Sequence, residues 1–363
     1  MNLQNNNNNT GKYPLYLGEE LGLLDNTNET YPQIAGLRDQ LLRDAWNWLE
    51  IDLKKDSFDI QNPALSESTA AMTRNLEFQY LTDSLVACNI YQIMGNYCTN
   101  TEMLNALQQW EWSESVHALQ YSEIVKKAYK DPNALINDMK LNKALNDRLQ
   151  PVIDIFANAK EMSMHYALGT DKYTEEEHRE NIIRFHMTLL AVEGIAFAAS
   201  FAATFAVCKA SKAFDGIKNS VALITRDELD SHVKLGVEVL KILKEEWAAQ
   251  YAKVAAEMAD IYSLVLALEA DWAHNYLFEG VKVRGLNAKN LVDYATFLAG
   301  GISDIVSIPV QFDRVEKDPL PFMQEYLNLG DIQVAAQESQ IVQYNLNILN
   351  DDVDSDKPFG FNL

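Results

Sequence analysis

The chain has 363 residues, 48% of them hydrophobic, which is enough to bury a substantial core in one large domain or two smaller ones. Its formal net charge of -22 excludes nucleic acid and anionic membrane surfaces as partners, because a strongly negative field repels both, and leaves cationic partners open, metal ions included. Three scattered cysteines, Cys88, Cys98 and Cys208, exclude a disulfide framework or a thiolate zinc site and suit a reducing, cytoplasmic compartment.

The first residues, "MNLQNNNNNTGKYPLY", lack the basic start and apolar run of a secretory signal, so export is not expected. Residues 1–30 read as an Asn-rich leader, disordered at its start. Apolar residues recurring at three- and four-residue intervals then predict helices over about 33–49, 66–95, 101–129, 142–168, 174–208, 218–246, 247–277 and 288–303. Breakers separate them at "DPN" (131–133), "LGTDKYT" (168–174) and "AFDG" (213–216). Long helices joined by short loops imply antiparallel neighbours in a bundle, which makes residues 31–329 one all-helical domain.

Residues 187–210, "MTLLAVEGIAFAASFAATFAVCKA", are apolar enough to resemble a membrane span. The run carries Glu193 and has no companion span, so a buried core helix is expected instead. From "EKDPLPFMQEY" onward prolines appear and the helical stripe fades. Residues 330–363 read as a flexible tail whose final "FGFNL" docks elsewhere.

Chemistry concentrates in a few acidic and imidazole side chains. In "EWSESVHALQY" Glu114 and His117 are one helical turn apart and share a face. Glu228 and His232 form a second such pair in "RDELDSH". Asp83 and Glu193 lie inside hydrophobic runs, where an unpaired carboxylate needs a compensating cation or a raised pKa. One carboxylate, Glu with His, one carboxylate, Glu with His is the ligand set of a two-metal carboxylate site in a ferritin-like bundle. Four carboxylates neutralise two divalent ions, and oxygen and imidazole ligands suit iron or manganese. Tyr121, four residues after His117, faces the same side. Phe197 and Phe201, four and eight residues after Glu193, and Ile224, four before Glu228, supply an apolar wall for its phenol. Beside metals that activate dioxygen, Tyr121 is placed to store a one-electron oxidation.

This order of motifs, Asp, then Glu-x-x-His followed by Tyr, then "EGIAFAASF", then "RDE" followed by His, resembles the small, radical-generating subunit of class I ribonucleotide reductase, from about Tyr13 to Leu363. The resemblance implies that Asp83, Glu114, His117, Glu193, Glu228 and His232 are metal ligands and that Tyr121 is the radical site. It selects Trp46 over Trp48 in "DAWNWLEID", with Asp227 hydrogen-bonding Trp46 and coupling it to His117. It places Glu338 of "DIQVAAQE" and Tyr344 in radical transfer across a subunit interface. It further implies two iron ions, with di-manganese or mixed metal accepted by the same ligands, a homodimer, and a large subunit that docks on the tail and reduces the ribonucleotide. Competing readings are a di-metal oxidase or hydroxylase with its own small substrate, and a non-enzymatic iron-storage protein. Both leave the tyrosine and the tail unexplained.

Two departures bear on the site. Ala196 and Ala198 stand where related sequences carry larger or charged residues. Glu228 and His232 are four apart where the family has three, which displaces the imidazole by about 100° around an ideal helix. A single-turn π-bulge would absorb the extra residue. The rivals are a straight helix with altered rotamers, or a His232 that turns away from the site.

Overall fold

Most of the long helices start where a side chain takes up N–H groups that the first turn leaves free. Asn100 accepts from Met103, Asp131 from Ala134, Asn142 from Ala144 and Leu145, and capping boxes pair Thr174 with Glu177 and Asn287 with Asn290. The computed structural model describes residues 14–327. In chain order the helices are α1 (Pro32–Arg43), α2 (Lys54–Ile60), α3 (Ser66–Ala87), α4 (Ile90–Met94), α5 (Thr101–Ala128), α6 (Pro132–Leu141), α7 (Lys143–Ala167), α8 (Glu175–Ala191), α9 (Ala198–Ser211), α10 (Asp215–Arg226), α11 (Val233–Glu246), α12 (Ala248–Trp272), α13 (Ala288–Val306) and α14 (Gln324–Leu327). Among the described residues, strand-like pairing is confined to two isolated bridges, Tyr16 with Cys98 and Val283 with Leu286.

Three joints inside long helices are π-helical. Val192–Phe197 links α8 to α9, Asp227–His232 links α10 to α11, and Ala273–Leu277 extends α12. The expected helices over 174–208 and 218–246 are therefore continuous, but each has a wide turn at its centre. The turn at 227–232 is the π-bulge, the first of the three alternatives that the four-residue spacing left open. The turn at 192–197 has no spacing anomaly to announce it. The two π turns pack against each other. Gly194 permits the approach of α13, since a Cβ there would lie 2.4 Å from Ile302 Cδ1.

The apolar run at 187–210 is the centre of the fold: every residue from Ile182 to Cys208, except Arg184, is buried. A helix apolar all round must be enclosed on every side, and here α3, α7, α11, α12 and α13 enclose it. Away from Glu193, its polar side chains Ser200 and Thr204 are bonded to α3. Asn75 of α3 donates to Ser200 O at 2.9 Å and Thr204 Oγ1 at 2.6 Å, and Ser200 Oγ donates to Asn75 Oδ1 at 2.8 Å.

Several elements differ from the sequence reading. α1 stops at Arg43, so Trp46 sits in a loop. Arg226 Nη2 donates to Asp44 O at 2.5 Å and so binds a carbonyl just past the helix end. The expected helix over 66–95 breaks at Cys88 into α3 and α4. α2 and α6 went unforeseen. α2 anchors the start of α10. Asp56 accepts from Gly216 N and Ile217 N, and Asp59 from Phe214 N, which ties down the tight turn into α10 where Lys212 and Phe214 adopt positive φ. Leu15 and Tyr16, assigned to the leader, are buried, and Tyr16 Oη bonds His186 Nε2 at 2.8 Å. The tail at 330–363, with Glu338 and Tyr344, lies outside the described residues.

Candidate metal centre

Four helical segments point carboxylates and imidazoles inward at one level. α3 supplies Asp83 and α5 supplies Glu114 and His117, while the two facing π turns supply Glu193, and Glu228 with His232. All six side chains are fully buried. Their ligating atoms fall into two groups, each within 4.8 Å: Asp83, Glu114, His117 and Glu228, and Glu114, Glu193, Glu228 and His232. Glu114 and Glu228 belong to both, so the groups are adjacent and share two carboxylates.

The spacing question is settled by position. His232 Nδ1 lies 2.9 Å from Glu114 Oε1 and 3.0 Å from Glu228 Oε2, so the imidazole faces the cluster. The π turn at Asp227–His232 accommodates the extra residue.

Buried polar atoms without partners are costly, and they are concentrated here. Both carboxylate oxygens of Asp83, Glu114 Oε2, Glu193 Oε2 and His232 Nε2 have no hydrogen-bond partner, and His117 Nδ1 and Glu228 Oε1 face each other at 3.1 Å without hydrogen-bond geometry. Four carboxylates and two imidazoles with unspent lone pairs fit a pair of hard to borderline divalent cations in number, charge and donor type. Without cations the pocket holds protons instead. Burial and the neighbouring Glu114 and Glu228 push Asp83 well above the usual carboxylate range, and Glu193 is raised in the same way. For the imidazoles burial works downward, but the facing carboxylates outweigh it: His117 lies well above its ordinary value and His232 is raised to about 9. Glu114 is lowered despite its burial, because His232 and His117 both face it.

Around the cluster the second layer is ordered. Trp46 Nε1 donates to Asp227 Oδ2 at 2.6 Å, and the same oxygen is 3.1 Å from His117 Nε2. The Trp46 and His117 rings stack at 6.2 Å and 24°. Arg226 donates to the other oxygen, Asp227 Oδ1, at 2.9 and 3.2 Å. Burial alone would raise Asp227, yet the bond to His117 and the Arg226 charge hold it below the ordinary value. A carboxylate on the far nitrogen of a ligating imidazole fixes its tautomer and ring orientation.

Tyr121 is 1% exposed, and its hydroxyl has no hydrogen-bond partner. Burial, with Asp83, Glu228 and Glu114 near, raises its pKa well above that of a free phenol, so the ring stays protonated. Phe197, Phe201 and Ile224 are buried in the same core, and Phe197 stacks on Phe201 at 5.5 Å. The aromatic ring packed against Tyr121, however, is Tyr80 at 6.4 Å, which sequence reasoning passed over.

Two other participants went unnoticed in the sequence. Trp110 Nε1 donates to Glu114 Oε1 at 3.1 Å and Glu193 Oε1 at 3.2 Å, steering both carboxylates. Its four-residue interval from Glu114 was the available signal. Arg148 of α7 lines a small cavity together with Ala196. Its guanidinium lies between the Phe78 and Trp272 rings, 3.3 and 3.7 Å from their centroids, and pairs with buried Glu269 at 2.6 and 2.7 Å. No local pattern links residues 148 and 269.

Known proteins match this arrangement over most of the chain. The family model for the ribonucleotide reductase small chain matches residues 26–319. The beta subunit of ribonucleoside-diphosphate reductase from Buchnera aphidicola (Schizaphis graminum strain) is 25% identical over 371 residues, covering 98% of this chain and 97% of the relative. Among solved structures, the ribonucleotide reductase R2 subunit from Clostridium botulinum superposes with a TM-score of 0.77 at 19% identity, covering 90% of this chain and 98% of that one. A dimanganese(II)-NrdF from Streptococcus sanguinis superposes with a TM-score of 0.66 at 13% identity, covering 86% of this chain and all of that one. With a dinuclear carboxylate and histidine site at the centre of a ferritin-like helical fold, and the family model matching from residue 26 to 319, the chain belongs to the ribonucleotide reductase small-chain family.

Proposed function

We infer that this protein is the small subunit of a ribonucleoside-diphosphate reductase, and that it stores an oxidising equivalent on Tyr121 for a large subunit that reduces ribonucleotides to deoxyribonucleotides. The observation that carries the reading is the placement of two metal-sized groups of ligands, sharing Glu114 and Glu228, close to a buried tyrosine whose hydroxyl has no partner.

In this reading Asp83 and His117 would hold one ion and Glu193 and His232 the other, with Glu114 and Glu228, common to both groups, available to each. The ion pair supplies dioxygen activation when bound. Iron is the metal we assign, and di-manganese or mixed metal would accept the same donors. Tyr121 gives up one electron and its phenolic proton. The buried setting of Phe197, Phe201 and Ile224 keeps water from the resulting radical. Transfer outward runs from His117 through Asp227 to Trp46, a contact pair already in place. It continues through Glu338 and Tyr344 of the tail, which docks on the large subunit. We further assign the protein to the cytoplasm as a homodimer. An oxidase or an iron store would have no use for the Trp46–Asp227–His117 connection, which therefore favours the reductase.

The test is electron paramagnetic resonance of the iron-loaded, air-exposed protein. A stable tyrosyl signal is expected, lost in Tyr121→Phe while that variant still binds two ions and keeps its fold. Turnover with the large subunit should fall to background. Full turnover by Tyr121→Phe would remove Tyr121 from the role.

A further inference from the structure

Tyr121 has no solvent contact through which a dissolved reductant could reach it, being 1% exposed. Its aromatic neighbour is different. Tyr80 is only partly buried, and its ring centroid lies 6.4 Å from that of Tyr121 at 32° between planes. Tyr80 sits on α3 one turn before Asp83, so the helix that carries a cluster carboxylate also carries a second phenol between the buried tyrosine and the surface. The Phe197 and Phe201 rings of the same core are hard to oxidise. A second phenol matches the potential of Tyr121, because it is the same group.

We propose that Tyr80 is a redox side exit from Tyr121, the residue through which small one-electron donors in solution discharge the stored oxidising equivalent. The inference rests on the assignment of the radical to Tyr121. In the step, one electron passes from the Tyr80 ring to the Tyr121 radical. Tyr80 releases its phenolic proton to solvent and the Tyr121 oxygen takes up one proton, which leaves Tyr121 as a neutral phenol and Tyr80 as the radical. A one-electron donor such as ascorbate then gives Tyr80 one electron and one proton and becomes the ascorbyl radical. The Tyr121 hydroxyl has no hydrogen-bond partner among the described residues, so no protein group bonded to it supplies the proton. The exit is separate from the Trp46–Asp227–His117 connection toward the large subunit.

The experiment follows loss of the tyrosyl signal in the full-length, iron-loaded protein after addition of excess ascorbate, in the wild type and in two variants. Tyr80→Phe keeps the ring and removes the oxidisable group, so the signal should decay more slowly by about tenfold or more, equivalent to at least about 1.4 kcal/mol of barrier. Tyr80→Trp restores an oxidisable ring of a different shape and should decay at least as fast as the wild type. If packing alone mattered, Phe would behave like Tyr and Trp would be the outlier, and that order would overturn the proposal. So would equal decay in all three. The parent reading fails differently, with no tyrosyl signal in the wild type or a signal that survives Tyr121→Phe.

Discussion

A metal ion bound at His117 and His232 must compete with protons. In the metal-free pocket the facing carboxylates hold both imidazoles above their ordinary range, His232 at about 9, and Asp83 and Glu193 are raised as well. Ligation requires neutral imidazole and ionised carboxylate, so loading expels protons. Below about 9 a proton occupies His232, and metal affinity therefore rises as pH climbs toward that value. The expected gain is about tenfold per pH unit for each proton displaced. Calorimetric titration of the metal-free protein with manganese(II) at about pH 6.5 and about pH 8, in buffers of different ionisation enthalpy, checks it. Equal affinity at the two pH values, with no proton release, would contradict the direction.

At the level of elements, the two π turns are the means by which ordinary helices present a dinuclear site. A π turn loses regular i to i+4 bonding and survives where the site gains from it. The turn at Asp227–His232 holds one residue more than the three-residue spacing needs. Deleting Asp230, a partly exposed residue that bonds Gln40 and Lys234, should convert the turn to α-helix and leave Val233 onward in register. The variant is expected to bind two divalent ions per chain and to melt about 2 °C higher when metal-free, the shift that about 1 kcal/mol makes in a domain of this size. Metal analysis and calorimetry decide the matter. A chain that kept only half its metal would show that His232 needs the wide turn to reach the cluster.

For the whole molecule, the proposed function divides storage and use of the oxidising equivalent between the helical body and residues beyond it. The body holds the ligands, Tyr121 and Trp46, and the assigned transfer residues Glu338 and Tyr344 lie outside the described residues. Truncation after Gly330 should leave metal loading and the Tyr121 signal intact and weaken binding of the large subunit about 100-fold, a loss of about 2.7 kcal/mol. Tyr344→Phe should bind as the wild type does and keep the signal, yet make no deoxyribonucleotide. Binding assays beside turnover separate these outcomes, and normal turnover by Tyr344→Phe would sink its assignment.

Glu114, His117 and Tyr121 share a helix face because residues three and four apart must do so, and that periodicity is local, so it could be read before any fold was known. The same reasoning recognised that Glu193 in an apolar run needs a cation or a raised pKa, and named a wider turn as one of three ways to accommodate the four-residue step at His232. What local spacing cannot express is which helix meets which. Trp46 finds Asp227 across 181 residues, and the end of α1 depends on Arg226 reaching Asp44. The π turn at Val192–Phe197 follows no count of residues, since it arises where four segments must aim carboxylates at one point. Trp110 steering two carboxylates, Arg148 between Phe78 and Trp272, and Tyr80 against Tyr121 likewise depend on contacts between helices. Side-chain chemistry and helical period determined what the site is made of. Packing of helices far apart in sequence decided how its parts are connected, because burial joins surfaces irrespective of their separation along the chain.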